Sequence, residues 1–253
     1  MNAKAWAPKL IFYALLLALW EGVCLLHVWP PYLFPSPARV FEALMDGIKD
    51  HTILIAAGVS LKRIAIGYSI SLVAGGLVGV LIGRHKLLDE TLGSLISGLQ
   101  TLPCICWLPL AVLWFGISEA SIQFVVVMGA FLAIAIATDA GIKNIPPLYL
   151  RAARTMGTGK WDMVTRVILP ASLPSVATGM KLGWSFAWRA LMAGELLFVS
   201  MGLGHLLQLG RDLNDMAQVV AVMIVIVLIG LTADKLIFSR LEAYVQEQWG
   251  LWK

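Results

Sequence analysis

The stretch Arg151–Pro174, RAARTMGTGKWDMVTRVILPASLP, holds four basic residues and one acid, and long apolar runs lie on either side of it. Pro146 and Pro147 restrict the chain just before it, LYLRAARTM is a good helical run, and Gly157 stands where a left-handed residue would end that helix. A second helical segment is expected over Lys160–Leu169, with Val164, Val167 and Ile168 on one side. Pro170 and Pro174 then mark a turn back into the next apolar run. The prediction is a compact knob of two short helices with a glycine hinge. A chain that crosses a bilayer repeatedly needs loops, and charges that only hold this one on its side account for it as well as a docking role does.

Composition says why a bilayer is in question. Apolar residues fill 59% of the 253 positions and charged residues 13%, against roughly 45–50% and about 25% in soluble domains. The surplus has to face something other than water. The net charge of +4 fits loop arginines and lysines that set topology, and with no basic module carrying interleaved aromatics, nucleic acid is not an expected partner. Cys24, Cys104 and Cys106 are an odd number inside apolar runs. The Cys-x-Cys pair lacks zinc spacing, and His27, His51, His85 and His205 are scattered, so no metal site is expected.

Six segments are long and apolar enough to cross: Leu10–Val28, Ile64–Gly83, Leu92–Phe115, Ile122–Gly141, Pro174–Val199 and Val219–Phe238. The expected class is an all-α membrane protein with about six transmembrane helices in one domain over 1–253. The first run, with Glu21 inside it and no small-x-small cleavage signal, is expected to be retained. An internal N-terminus puts Lys4, Lys9, Arg84, Lys86, Lys143, Arg151, Arg154, Lys160, Arg166, Lys235, Arg240 and Lys253 in the cytoplasm. Arg39, Lys49, Lys62, Arg63 and Arg211 then fall outside, an imperfect bias, and the loop over residues 142–173 faces the cytoplasm.

Two local patterns stand out. Ser36 with Pro37 starts a short amphipathic helix whose apolar side is Val40, Phe41, Leu44, Met45 and Ile48, lying at the membrane surface or packed on neighbouring helices. Gly75, Gly79 and Gly83 form a ridge that allows close backbone approach, within the chain or in a dimer.

RAARTMG followed by VILPASLP resembles the cytoplasmic loop of ABC importer permeases, a Glu-Ala-Ala triplet, a glycine and then an apolar-x-Leu-Pro. Ala152, Ala153, Gly157, Ile168, Leu169 and Pro170 match, and Arg151 stands at the glutamate position. LFPSPARVFEAL, SLKRIAIGYSI, WLPLAVLWFGISEAS, MKLGWSFAWRALMAGELL and the terminal WGL are similar to segments of the nitrate, sulfonate and taurine class of these permeases. The resemblance implies the type I ABC importer permease fold and a coupling helix seated in a separate ATPase, with Arg151, Ala152, Ala153, Arg154, Gly157, Leu169 and Pro170 at the coupling site. It implies a homodimer in the bacterial inner membrane, two ATPase subunits and an external substrate-binding protein. The implied cargo is a small anion such as a sulfonate, nitrate or bicarbonate, though some members of the class carry other small molecules. The chain has no phosphate loop, since GTGKW lacks the earlier glycine and the Ser/Thr, so ATP and Mg belong to the partner and no cofactor to this chain.

Ionisable groups inside spans are costly and so are functional candidates. Arg189 can attract an anion in the path or pair with Glu195 or Glu21. Glu195, in GELL, has a gating or structural role in prospect. Asp139, Lys181 and Asp234 sit near span ends and read as structural. Gln100, Pro103 and Trp107 fall together at helical steps, and Trp184 and Trp188 are an i,i+4 pair that lines the path or anchors packing. An ion-coupled secondary transporter using Glu21, Arg189 and Glu195 is the alternative, and ATP dependence separates the two. No catalytic constellation is evident.

Overall fold

The computed structural model describes residues 3–197 and 200–249, and every element in it is helical. The end of the fifth expected span, at Val199, and most of the terminal WGL lie outside the described residues. In chain order, α1 is Ala3–Leu25, α2 Pro37–Lys49, α3 Thr52–Arg84, α4 Lys86–Leu99, α5 Cys104–Phe115, α6 Glu119–Lys143 and α7 Pro147–Thr155. Residues 160–197 form one helical path, α8; α9 is Leu203–Asp212 and α10 Met216–Gln248. Each expected span meets a helix: α1, α3, the α4–α5 pair, α6, α8 and α10. By length and apolarity alone four of these could cross a membrane, or five with the bent α4–α5 pair as one span. The stretch Leu169–Leu197 of α8 has the length, 29 residues, but Lys181, Arg189 and Glu195 make it more polar.

The chain divides into two compact units, one within Met1–Val59 and Val199–Val227, the other within Ser60–Phe198 and Leu228–Lys253. In the first, Ser36 caps α2 by accepting from the Arg39 backbone N–H, with Pro37 as the first helical residue, as the sequence predicts. Val40 is its buried anchor, and Phe41 stays 61% exposed. Trp20 of α1 donates to the Pro35 carbonyl at 3.0 Å.

The second unit is built on α6. Gly67 of α3 faces Val126, Gly75 faces Phe131 and Ile134, Gly79 faces Ala135 and Thr138, and Gly83 faces Ile142. Partner numbers rise together, so α3 and α6 run parallel. A Cβ on Gly79 would stand 2.6 Å from the Ala135 carbonyl oxygen. The ridge of Gly75, Gly79 and Gly83 thus serves contact within the chain. On the α8 side the numbers run oppositely: Gly194 lies beside Ile122, Gly183 beside Ile134, and Ser175 beside Gly141. Helices α6 and α8 are antiparallel.

Parallel α3 and α6 require the chain between them to return across the same thickness. The α4–α5 pair does this as a broken span, bent by 102°. Pro103, which has no N–H to continue the ladder, closes the gap after Gln100, and α5 restarts with a 3-10 turn.

Two sequence expectations are corrected. The second helix begins at Thr52 and not Ile64, because Lys62 and Arg63 interrupt the hydropathy but not the helix. The expected turn at Pro170 and Pro174 is absent: the path from Lys160 to Leu197 continues as helix. A π-helical turn over Met163–Ile168 widens the backbone just before Pro170, which relieves the clash a proline ring makes with the preceding turn.

Candidate functional site

The knob is α7 and its exit. Gly157 has φ +77°, its N–H donates to the Arg154 carbonyl, and Thr158 N–H donates to the Ala153 carbonyl. These two bonds are those of a Schellman motif, which needs a left-handed residue where Gly157 sits. Ala153 is buried, while Arg151, Ala152, Arg154 and Gly157 are exposed. Beneath the knob, Ile142, Ile145 and Ile168 form a core with Leu150, Met163 and Ala171 packed on it. Leu169 and Pro170 follow directly on α8, so the knob stands at the end of a helix that runs on to Glu195.

A cavity of about 330 Å³ lies where the broken span passes α6 and α8, lined by Gln100, Pro103, Cys104, Trp107, Phe186 and Arg189 among others. The antiparallel register of α8 brings Arg189 to the gap left by Pro103. The Arg189 guanidinium lies over the Phe186 ring at 4.9 Å, and its Nε donates to the Ser185 carbonyl at 3.0 Å. Among the described residues no carboxylate pairs with it. Trp184 and Trp188 do not line this cavity: they stack at 6.1 Å, and Trp184 packs on Tyr68 and Phe238. Glu21, on α1 in the other unit, borders a separate hollow with His27 and Arg39.

Glu195 is fully buried, and its partner is neither Arg189 nor Glu21. Ser60 Oγ donates to its two oxygens at 2.8 and 2.7 Å, and Arg63 Nη1 donates to Oε1 at 2.8 Å. The same guanidinium grips Glu119 in a fork, with Nε to Oε2 at 2.8 Å and Nη2 to Oε1. Gln123 donates to the Arg63 carbonyl at 3.1 Å. Sequence reading placed Arg63 among loop charges and passed over Glu119. A signal existed, since SLKRIAIGYSI, GISEAS and GELL each set charges against an apolar run. At the other end of α6, Lys143 bridges Asp89 and Asp139, and Lys181 pairs with Glu242 at 3.3 Å. Among the described residues no group of His, Cys, Asp and Glu could hold a metal ion.

These features define a helical membrane protein with a glycine-capped knob on one end of its long helix. Residues 71–243 match the model of the binding-protein-dependent transport system inner membrane component family, and the chain belongs to that family. It is 32% identical over 200 residues to the taurine transport system permease protein of Escherichia coli (strain K12), covering 77% of this chain and 73% of the relative. To the nitrate import permease protein of Synechocystis sp. it is 28% identical, covering 95% and 90%. A chain of the methionine ABC transporter, solved in inward-facing conformations, matches with a TM-score of 0.67 at 20% identity over 76% of this chain and 96% of that one. The fold is therefore that of a type I ABC importer permease. The chain is a transport subunit and not an enzyme; ATP hydrolysis belongs to a separate subunit of such systems.

Proposed function

We propose that this chain forms the membrane path of an ATP-driven importer for a small anion, two copies enclosing one path. The observation that carries this is Arg189, an exposed guanidinium with no carboxylate partner among the described residues, at the wall of the cavity made by the broken span. In a low-dielectric passage such a group attracts a sulfonate, nitrate or bicarbonate through charge-assisted hydrogen bonds. The relatives' names agree with that chemistry, taurine being a sulfonate and nitrate an oxyanion.

Cargo is delivered by an external binding protein, which holds most of the specificity. Gln100, Pro103 and Trp107 line the path opposite Arg189. The stacked Trp184 and Trp188 stiffen α8 behind it, and Glu195 holds the end of that helix. On the cytoplasmic side the knob, Arg151, Ala152, Ala153, Arg154 and Gly157 on a footing of Leu169 and Pro170, seats in an ATPase. Two such subunits hold ATP and Mg, and this chain binds no cofactor. Closure of the nucleotide sites pushes the knob, and the continuous α8 carries the displacement to Arg189. The N-terminus is cytoplasmic, the bilayer is the bacterial inner membrane, and the whole of 1–253 acts as one permease domain.

Reconstitution with the ATPase and binding protein in liposomes tests this. Arg189→Ala should cut ATP-driven anion uptake by about ten-fold or more, with assembly and basal ATP hydrolysis unchanged. Arg189→Lys should keep part of the rate. Unchanged uptake by Arg189→Ala would refute the path assignment.

A further inference from the structure

Helix α7 turns Ala153 inward and leaves Leu148 70%, Tyr149 50% and, just past its end, Met156 78% exposed. At helical pitch Leu148, Arg151, Ala152 and Thr155 share the outward side, with Arg154 at its flank. Arg151 thus lies on the surface that would enter a groove, on its Arg154 side, with apolar Leu148 and small Ala152 on the same surface. Neither it nor Arg154 has a carboxylate partner among the described residues, and the nearby Asp162 is paired with Arg166 at 3.1 Å. Topology accounts for a basic loop, but not for an arginine placed on the same outward side as Leu148 and Ala152. Enclosing a guanidinium in a protein groove removes its water, and without an anionic partner that opposes docking.

We infer that the groove of the ATPase subunit that receives α7 carries a carboxylate opposite Arg151, with Arg154 as its second contact, and that this charge match selects the ATPase. The inference rests on the proposed docking of α7. A groove shaped for the glutamate of the wider pattern would repel Arg151, so the pairing also excludes ATPases of other importers.

The test uses the full chain with its own ATPase subunits in lipid nanodiscs. Arg151→Glu should weaken ATPase binding about ten-fold or more at low salt, and the deficit should shrink as salt rises. Ala152→Trp, a steric block, should weaken binding at every salt concentration. In Arg151→Lys complexes a water-soluble carbodiimide should join the new amine to an ATPase carboxylate, located by peptide mass, at a position not linked in the unmodified complex. If Ala152→Trp blocks assembly while Arg151→Glu binds normally and no such link forms, the acidic groove is refuted and the docking stands. If neither variant alters binding, both fall. Elution of each variant as a monodisperse peak shows that it is folded.

Discussion

Replacing Arg63 by methionine removes the cation with which the buried Glu195 carboxylate is paired, while nearly preserving side-chain volume. The Glu195 side chain is 0% exposed and Arg63 6% exposed, so this half of the network is dry. Breaking a buried pair from one side costs about 3–5 kcal/mol. The other half is different: Glu119 is 61% exposed, and water screens it to about 1 kcal/mol or less. Arg63→Met should therefore lower stability by roughly 4 kcal/mol, and Glu119→Gln by no more than about 1 kcal/mol. Adding Glu195→Gln to Arg63→Met removes the buried carboxylate charge and should restore much of the loss, since Ser60 still donates to the amide oxygen. The assay is loss of helical circular dichroism on titrating the purified chain into SDS from mixed micelles. Equal costs for Arg63→Met and Glu119→Gln, or no recovery in the double variant, would refute the view that charge pairing holds these helix ends.

Gly79→Leu drives a side chain into the Ala135 carbonyl and Thr138, and should cost about 1–3 kcal/mol or more in the same titration. Gly76→Leu, at a position with nothing within 4 Å of an added Cβ, should be close to neutral. Gly157→Val meets open space, so its cost is the left-handed backbone, about 1–2 kcal/mol. It should abolish ATP-driven uptake in liposomes with insertion intact by protease protection, and normal uptake would count against the knob's role.

Period and punctuation made much of this chain readable. Apolar length put a helix at each expected span, four or five of which are long and apolar enough to cross, Ser36 and Pro37 marked α2, and the left-handed Gly157 followed from the helix before it. The glycine ridge was legible as a close contact, but its partner was not, because α3 meets α6 through positions more than fifty residues away. Hydropathy treats a charge as a boundary, and so it cut α3 short at Arg63, a residue buried by partners on two other helices. Prolines mislead in the opposite sense: Pro170 and Pro174 read as a stop, but a π-helical turn carries the backbone past the first of them. Spacing gathered Gln100, Pro103 and Trp107. Only the antiparallel register of α8 added Arg189 to them, and register between distant helices is not written in either one.

The two bridging cations tie down both ends of the broken span. Lys143 ties Asp89, on α4, to the cytoplasmic end proposed for α6. Arg63 ties Glu119, where α6 begins just after α5, to α3 and α8. The chain from Asp89 to Glu119 is thus fixed near both ends, each time by one cation shared between two carboxylates. Between them the helical ladder is interrupted from Gln100 to Pro103, and that interruption is the wall of the cavity. The N–H groups of Gln100, Thr101 and Leu102 still donate, to the carbonyls of Ile96, Gly98 and Leu99, so the break is a change of bonding pattern ahead of Pro103 and not a loss of bonds. On the proposed reading, motion carried along α8 would reach this break beside Arg189.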